Sequence, residues 1–74
     1  DKAIELDPND VFAYNNRGVV YNKINQHEKA IEDCTKAIQL DPKYKKAYIN
    51  RAKAYRAVGE EALAAADEKT AEEL

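Results

Sequence analysis

His27 and Cys34, the only histidine and the only cysteine in the chain, are the side chains most readily turned to covalent chemistry. A thiol beside an imidazole makes a nucleophile with its base, but the two must meet within hydrogen-bond reach. Seven residues along one helix separate them by about 10 Å. Their spacing therefore predicts no catalytic couple. Cys34 recurs at helical intervals with Ala30, Ala37 and Ile38 and reads as a small core residue. His27, near the start of the same helix, reads as a surface or hairpin-packing residue. No cysteine–histidine cluster has metal-site spacing, and the carboxylates of residues 60–73 read as solvated. The chain is expected to be no enzyme and to need no cofactor or metal.

The other chemistry is charge. A net charge of −2 conceals a strong segregation. Lys43, Lys45, Lys46, Arg51, Lys53 and Arg56 fall in a stretch with no acidic residue, while residues 60–73 hold six acidic residues and only Lys69 among the bases. Such runs are most often solvated helix faces, yet a division this sharp suggests a partner. The overall acidity, and the lack of exposed aromatics between the lysines, argue against nucleic acid. No stretch approaches the roughly 18 apolar residues of a membrane span. One cysteine leaves no internal disulfide and fits a reducing, cytoplasmic setting. The chain lacks an initiator methionine, starts mid-pattern and reads as a piece of something longer.

The elements that must hold these side chains are helices. Val11, Tyr14, Gly18 and Tyr21 form a stripe at intervals of three and four, as do Ala30, Ile31, Cys34, Ala37 and Ile38. Tyr48, Ala52, Tyr55 and Val58 repeat the first stripe, and Ala64, Ala71 and Leu74 weakly repeat the second. Strict alternation is absent, so the fold class is all-α. Asp7-Pro8 and Asp41-Pro42 separate helices, because proline suits only a helix's first turn. Asn25 and Gly59 close the other two stripes in the left-handed conformation, and Asn25 stands at capping-box spacing from Glu28. The pattern predicts helices at 2–7, 10–24, 27–40, 44–58 and 60–73. Connections this short predict antiparallel hairpins.

The hexapeptide at residues 3–8, AIELDP, returns as AIQLDP at residues 37–42, which sets a period of 34 residues. With Tyr14, Gly18, Tyr21, Ala30 and Pro42 in a first unit, and Tyr48, Ala52, Tyr55 and Ala64 in a second, the chain resembles the tetratricopeptide repeat. The resemblance covers the whole of residues 1–74 as one array. Residues 1–10 match the tail of an upstream repeat, 11–44 a full repeat and 45–74 a nearly complete terminal one. It implies antiparallel helix hairpins stacked as a right-handed α-solenoid. Arg17 and Arg51 replace the family's usual leucine, which predicts a position at the core's edge with the guanidinium reaching solvent. Cys34 and Glu68 stand where an aromatic is common, and the last helix has a narrow apolar stripe that suits the end of a stack.

With Tyr48, Ala52 and Tyr55 turned inward, helix geometry puts Lys46, Asn50 and Lys53 on the opposite face. Phe12, Asn16, Val19 and Lys23 are their counterparts one repeat earlier, flanked by Asn15, Asn22, Ile49 and Arg56. In tetratricopeptide proteins this side lines a concave groove that holds peptides, so the resemblance implies that these residues bind a peptide. Cations and amides suit an extended segment bearing acidic or C-terminal carboxylate groups, with Phe12, Val19 and Ile49 meeting its apolar side chains. The chain is also similar, in part, to co-chaperone domains that clamp the acidic tails of chaperones. Asn16 and Lys46 fall on clamp positions, but Asn50 stands where an arginine belongs. The alternative is association between copies, either through the basic and acidic helices or through the upstream face of Val11, Tyr14 and Tyr21.

Overall fold

The computed structural model describes residues 9–74, four α-helices with no strand among them. They are α1 (Val11–Lys23), α2 (His27–Leu40), α3 (Lys45–Ala57) and α4 (Glu61–Glu73). Each lies within a residue of its predicted bounds. The expected helix at 2–7 falls outside the described residues. Helices α1 and α2 pack as one hairpin and α3 and α4 as a second. The hairpins stack through α2 against α3, and α1 also touches α3.

Local chemistry sets the ends. The Asp10 carboxylate caps α1 by accepting from the Ala13 amide at 3.2 Å. Asn25, with φ of 62°, and Gly59, with φ of 85°, take the left-handed turns after α1 and α3. The backbone amides of Gln26 and Glu60 then donate to the Tyr21 and Tyr55 carbonyls, both at 2.8 Å, the same closure in each hairpin. The capping box does not form. Asn25 belongs to the turn, and Gln26 holds the cap position of α2 without a side-chain capping bond. After α2, Asp41 ends the helix and its carboxylate accepts from the Lys43 amide at 3.1 Å.

The core is made of small residues. Ala30, Cys34, Ala37, Ala47, Ala52, Ala54 and Ala64 are sealed from solvent or nearly so, and Cys34 is the largest fully buried side chain among the described residues. The tyrosines expected inside are half-buried instead: Tyr14, Tyr21, Tyr48 and Tyr55 lean along the flanks of the seam. Val58 and Leu74 leave their expected stripes for solvent. Close approach makes this possible. A Cβ on Gly18 would lie 2.9 Å from Cys34 Sγ and 3.4 Å from the Ala30 carbonyl oxygen, so glycine lets α1 rest on α2. Burial pushes the Cys34 thiol up to about 12, making it a packing group rather than a nucleophile.

Arg17 and Arg51 do not reach freely into solvent as their sequence positions suggest. Arg17 donates through Nε and Nη2 to both carboxylate oxygens of Asp33, at 2.7 and 2.9 Å. Arg51 does the same to Asp67 at 2.8 and 2.7 Å, and its Nη1 reaches Thr35 Oγ1 of the preceding hairpin at 3.2 Å. Asp33 and Asp67 are each 5% exposed. A carboxylate so far from water needs a partner, and the planar guanidinium supplies a two-pronged one. These hydrogen bonds raise both arginines' pKa above the ordinary guanidinium value. Each guanidinium also lies near tyrosine rings, Arg17 5.7 Å from Tyr21 and Arg51 5.9 and 5.5 Å from Tyr48 and Tyr55.

Candidate functional site

The first helices of the two hairpins, α1 and α3, run side by side, and asparagines join them. Asn50 Nδ2 donates to Asn15 Oδ1 at 2.9 Å, and Asn22 Nδ2 donates to the Asn50 carbonyl at 3.2 Å. Asn22 Oδ1 is then the acceptor for His27 Nδ1 at 2.9 Å, which places that ring's hydrogen on Nδ1. This chain of bonds runs from the α1–α2 turn across to α3. It satisfies Asn15, which at 3% exposure is otherwise sealed inside the structure. His27 is thus tied to Asn22, its role as a packing residue at the hairpin turn.

Above the seam lies an open hollow of about 210 Å³ lined by Val19, Asn22, Lys23, Asn50 and Lys53. All five belong to the set that the helix faces assign to peptide binding. The others are distributed around it. Phe12, 63% exposed, sets its ring edge-on to Tyr44 with centroids 5.4 Å apart, and Ile49 is 37% exposed. Asn16 is exposed near the middle of α1 and Lys46 in the first turn of α3. Asn15 lies beneath the surface as a strut between helices rather than on the groove wall.

Arg56 is turned to another task. Its Nε donates to Glu61 at 3.0 Å and its Nη1 and Nη2 to Glu68 at 2.7 and 3.0 Å, so it grips α4. The hydrogen bonds from Arg56 draw the Glu68 pKa below the ordinary carboxylate value. Arg56 is one period after Asn22, and Glu61 one period after His27. The same corner therefore holds an amide–imidazole contact in the first hairpin and an ion pair in the second. With Arg17, Arg51 and Arg56 committed, the unpaired cations of the α1–α3 side are Lys23, Lys46 and Lys53, none of which has an ion-pair partner among the described residues.

Asp33 and Asp67 were not singled out from sequence. The signal was available: arginine at 17 and 51 and aspartate at 33 and 67 each recur at the repeat interval. No helix among the described residues is long and apolar enough to cross a membrane.

The tetratricopeptide repeat pattern matches residues 11–44, the span of the first hairpin together with the turn that follows it. No curated protein is significantly similar to the chain. Tetratricopeptide repeats generally serve protein–protein interaction and are generally non-catalytic. The hairpin of α1 and α2, the small-residue seam at Gly18 and Ala30 and the matched pattern identify residues 11–44 as a tetratricopeptide repeat.

Proposed function

We propose that the chain is a protein-interaction scaffold that holds an extended, acidic peptide segment along the α1–α3 seam, and that residues 45–74 act as a second repeat completing the site. The observation that carries this reading is the hollow lined by Lys23 and Lys53, two cations without ion-pair partners among the described residues, together with Val19, Asn22 and Asn50. An incoming carboxylate meets positive charge there at little desolvation cost, and Val19 or Ile49 takes a neighbouring apolar side chain. Exposed charge contacts contribute roughly 0–1 kcal/mol each, so binding is weak, fast and salt-sensitive. Asn50 bonds to Asn15 and lacks the fork of an arginine, so the proposal rests on the lysine-flanked hollow and not on a complete carboxylate clamp.

Calorimetric titration of an acidic C-terminal peptide into the native chain, Lys53→Glu and Lys46→Glu tests it. Reversing Lys53 turns attraction into repulsion at the hollow and weakens binding about tenfold at low salt, or about 1.4 kcal/mol. Lys46→Glu weakens it less. Equal binding by all three chains would eliminate the groove.

A further inference from the structure

The hollow is richer in donors than a carboxylate can use. Lys23 and Lys53 line it from neighbouring helices, so two ammonium groups are tethered beside it. Asn22 Nδ2 and Asn50 Nδ2 each use one N–H on the inter-helix bonds and keep a second with no acceptor in reach among the described residues. Asn22 Oδ1 is taken by His27 and the Asn50 main-chain carbonyl by Asn22, while Asn50 Oδ1 is left without a partner among the described residues. No carboxylate of the described chain forms an ion pair with either lysine.

A side-chain carboxylate carries one charge and two oxygens, which would leave one ammonium uncompensated. A phosphate monoester carries nearly two charges at neutral pH and three terminal oxygens. From this stoichiometry we infer that the hollow between α1 and α3 takes the phosphate of a phosphorylated serine or threonine within the bound peptide. Lys23 and Lys53 balance its two charges and the amides of Asn22 and Asn50 donate to its oxygens. The inference rests on the peptide-binding reading and narrows it: the partner is a segment switched on by phosphorylation. Val19, the apolar side chain in the lining, meets the Cβ, or the threonine methyl, of the modified residue.

Three fluorescein-labelled peptides of sequence Glu-Ala-X-Ala-Glu test it, with X as serine, aspartate or phosphoserine, by anisotropy against the native chain, Lys46→Ala and the double variant Lys23→Ala/Lys53→Ala. All three positions are exposed, and circular dichroism verifies that each variant folds. The phosphopeptide should bind the native chain at least threefold more tightly than the aspartate peptide at pH 7.5. That advantage should vanish by pH 5, as the second phosphate proton returns with a pKa of about 6. It should also vanish in the double variant and survive in Lys46→Ala.

A phosphopeptide binding no better than the aspartate peptide would overturn the inference and leave the acidic-peptide reading standing. An advantage that persists in the double variant would overturn it as well. Inorganic phosphate competing with an affinity equal to the phosphopeptide's would also overturn it, by reducing the hollow to a bare anion site. Failure of all three peptides to bind would sink both readings.

Discussion

Replacing Asp67 by alanine should unfold this chain more readily than any surface change, and the structure sets the size of the effect. Asp67 accepts two hydrogen bonds from Arg51, at 2.8 and 2.7 Å, and its side chain is 8% exposed. Arg51 is 18% exposed, lies against two tyrosine rings and is held by Thr35, so it cannot swing fully into water when its partner is lost. Breaking a buried pair from one side costs about 3–5 kcal/mol, and the partial exposure of Arg51 favours the lower end, about 3 kcal/mol. A chain of this length has on the order of 4–11 kcal/mol of stability in all. With an m-value of about 1 kcal/mol/M, the urea midpoint followed by circular dichroism should fall by roughly 3 M. Asp33→Ala should cost less, about 2 kcal/mol, because Arg17 is 26% exposed and has no third anchor equivalent to Thr35 among the described residues. Replacing both partners, as Arg51→Met/Asp67→Leu, should recover most of the loss. An Asp67→Ala midpoint within about 0.5 M of the native chain, or a double variant as weak as Asp67→Ala alone, would refute the reasoning.

Gly18→Ala should cost about 1–3 kcal/mol through the 2.9 Å encounter with Cys34 Sγ, and Cys34→Ala in the same chain should relieve part of that cost in a urea titration. The Cys34 thiol, raised to about 12 from an unperturbed 9.0, should resist a thiol reagent at pH 8 at low denaturant and react at the rate of unfolding. Its contribution to stability is complete below pH 9 and is lost between pH 9 and about 12, because the unfolded thiol ionises first. Tyr55→Ala should destabilise by about 2 kcal/mol, less than the 3–5 of a fully buried aromatic, whereas Lys53→Ala should leave the melting temperature nearly unchanged. Equal melting temperatures for those two variants would mean that the faces of α3 are reversed.

The helices and their bounds were legible because periodic apolar residues and punctuation agree: stripes at three and four, proline or a left-handed residue between them. The seam was legible for a similar reason, since Gly18, Ala30, Ala52 and Ala64 are small at the crossing points of the pattern. The charged interior was not. Periodicity treats arginine and aspartate as surface, and only their joint recurrence, 17 with 33 and 51 with 67, signals that they meet across a hairpin. Helix geometry also placed Val19, Lys23, Asn50 and Lys53 on one side, with Asn22 beside them, and these five residues line one hollow. What it could not resolve was the use of each amide. Asn15, Asn22 and Asn50 are one residue type near one groove, and only the approach of α1 to α3 turns Asn15 into a buried strut and engages Asn22 and Asn50 in bonds between the helices. Arg56 shows the same limit, because its face pointed to the groove while the reach of its side chain brought it to Glu61 and Glu68.

Amide chemical-shift mapping of the ¹⁵N-labelled chain with an acidic peptide reaches the proposed site most directly. Shifts should concentrate at Val19, Asn22, Lys23, Asn50 and Lys53, include the side-chain amides of Asn22 and Asn50, and fade as salt is raised. Shifts gathered instead on the outer face of α4, around Leu63 and Lys69, would contradict the account.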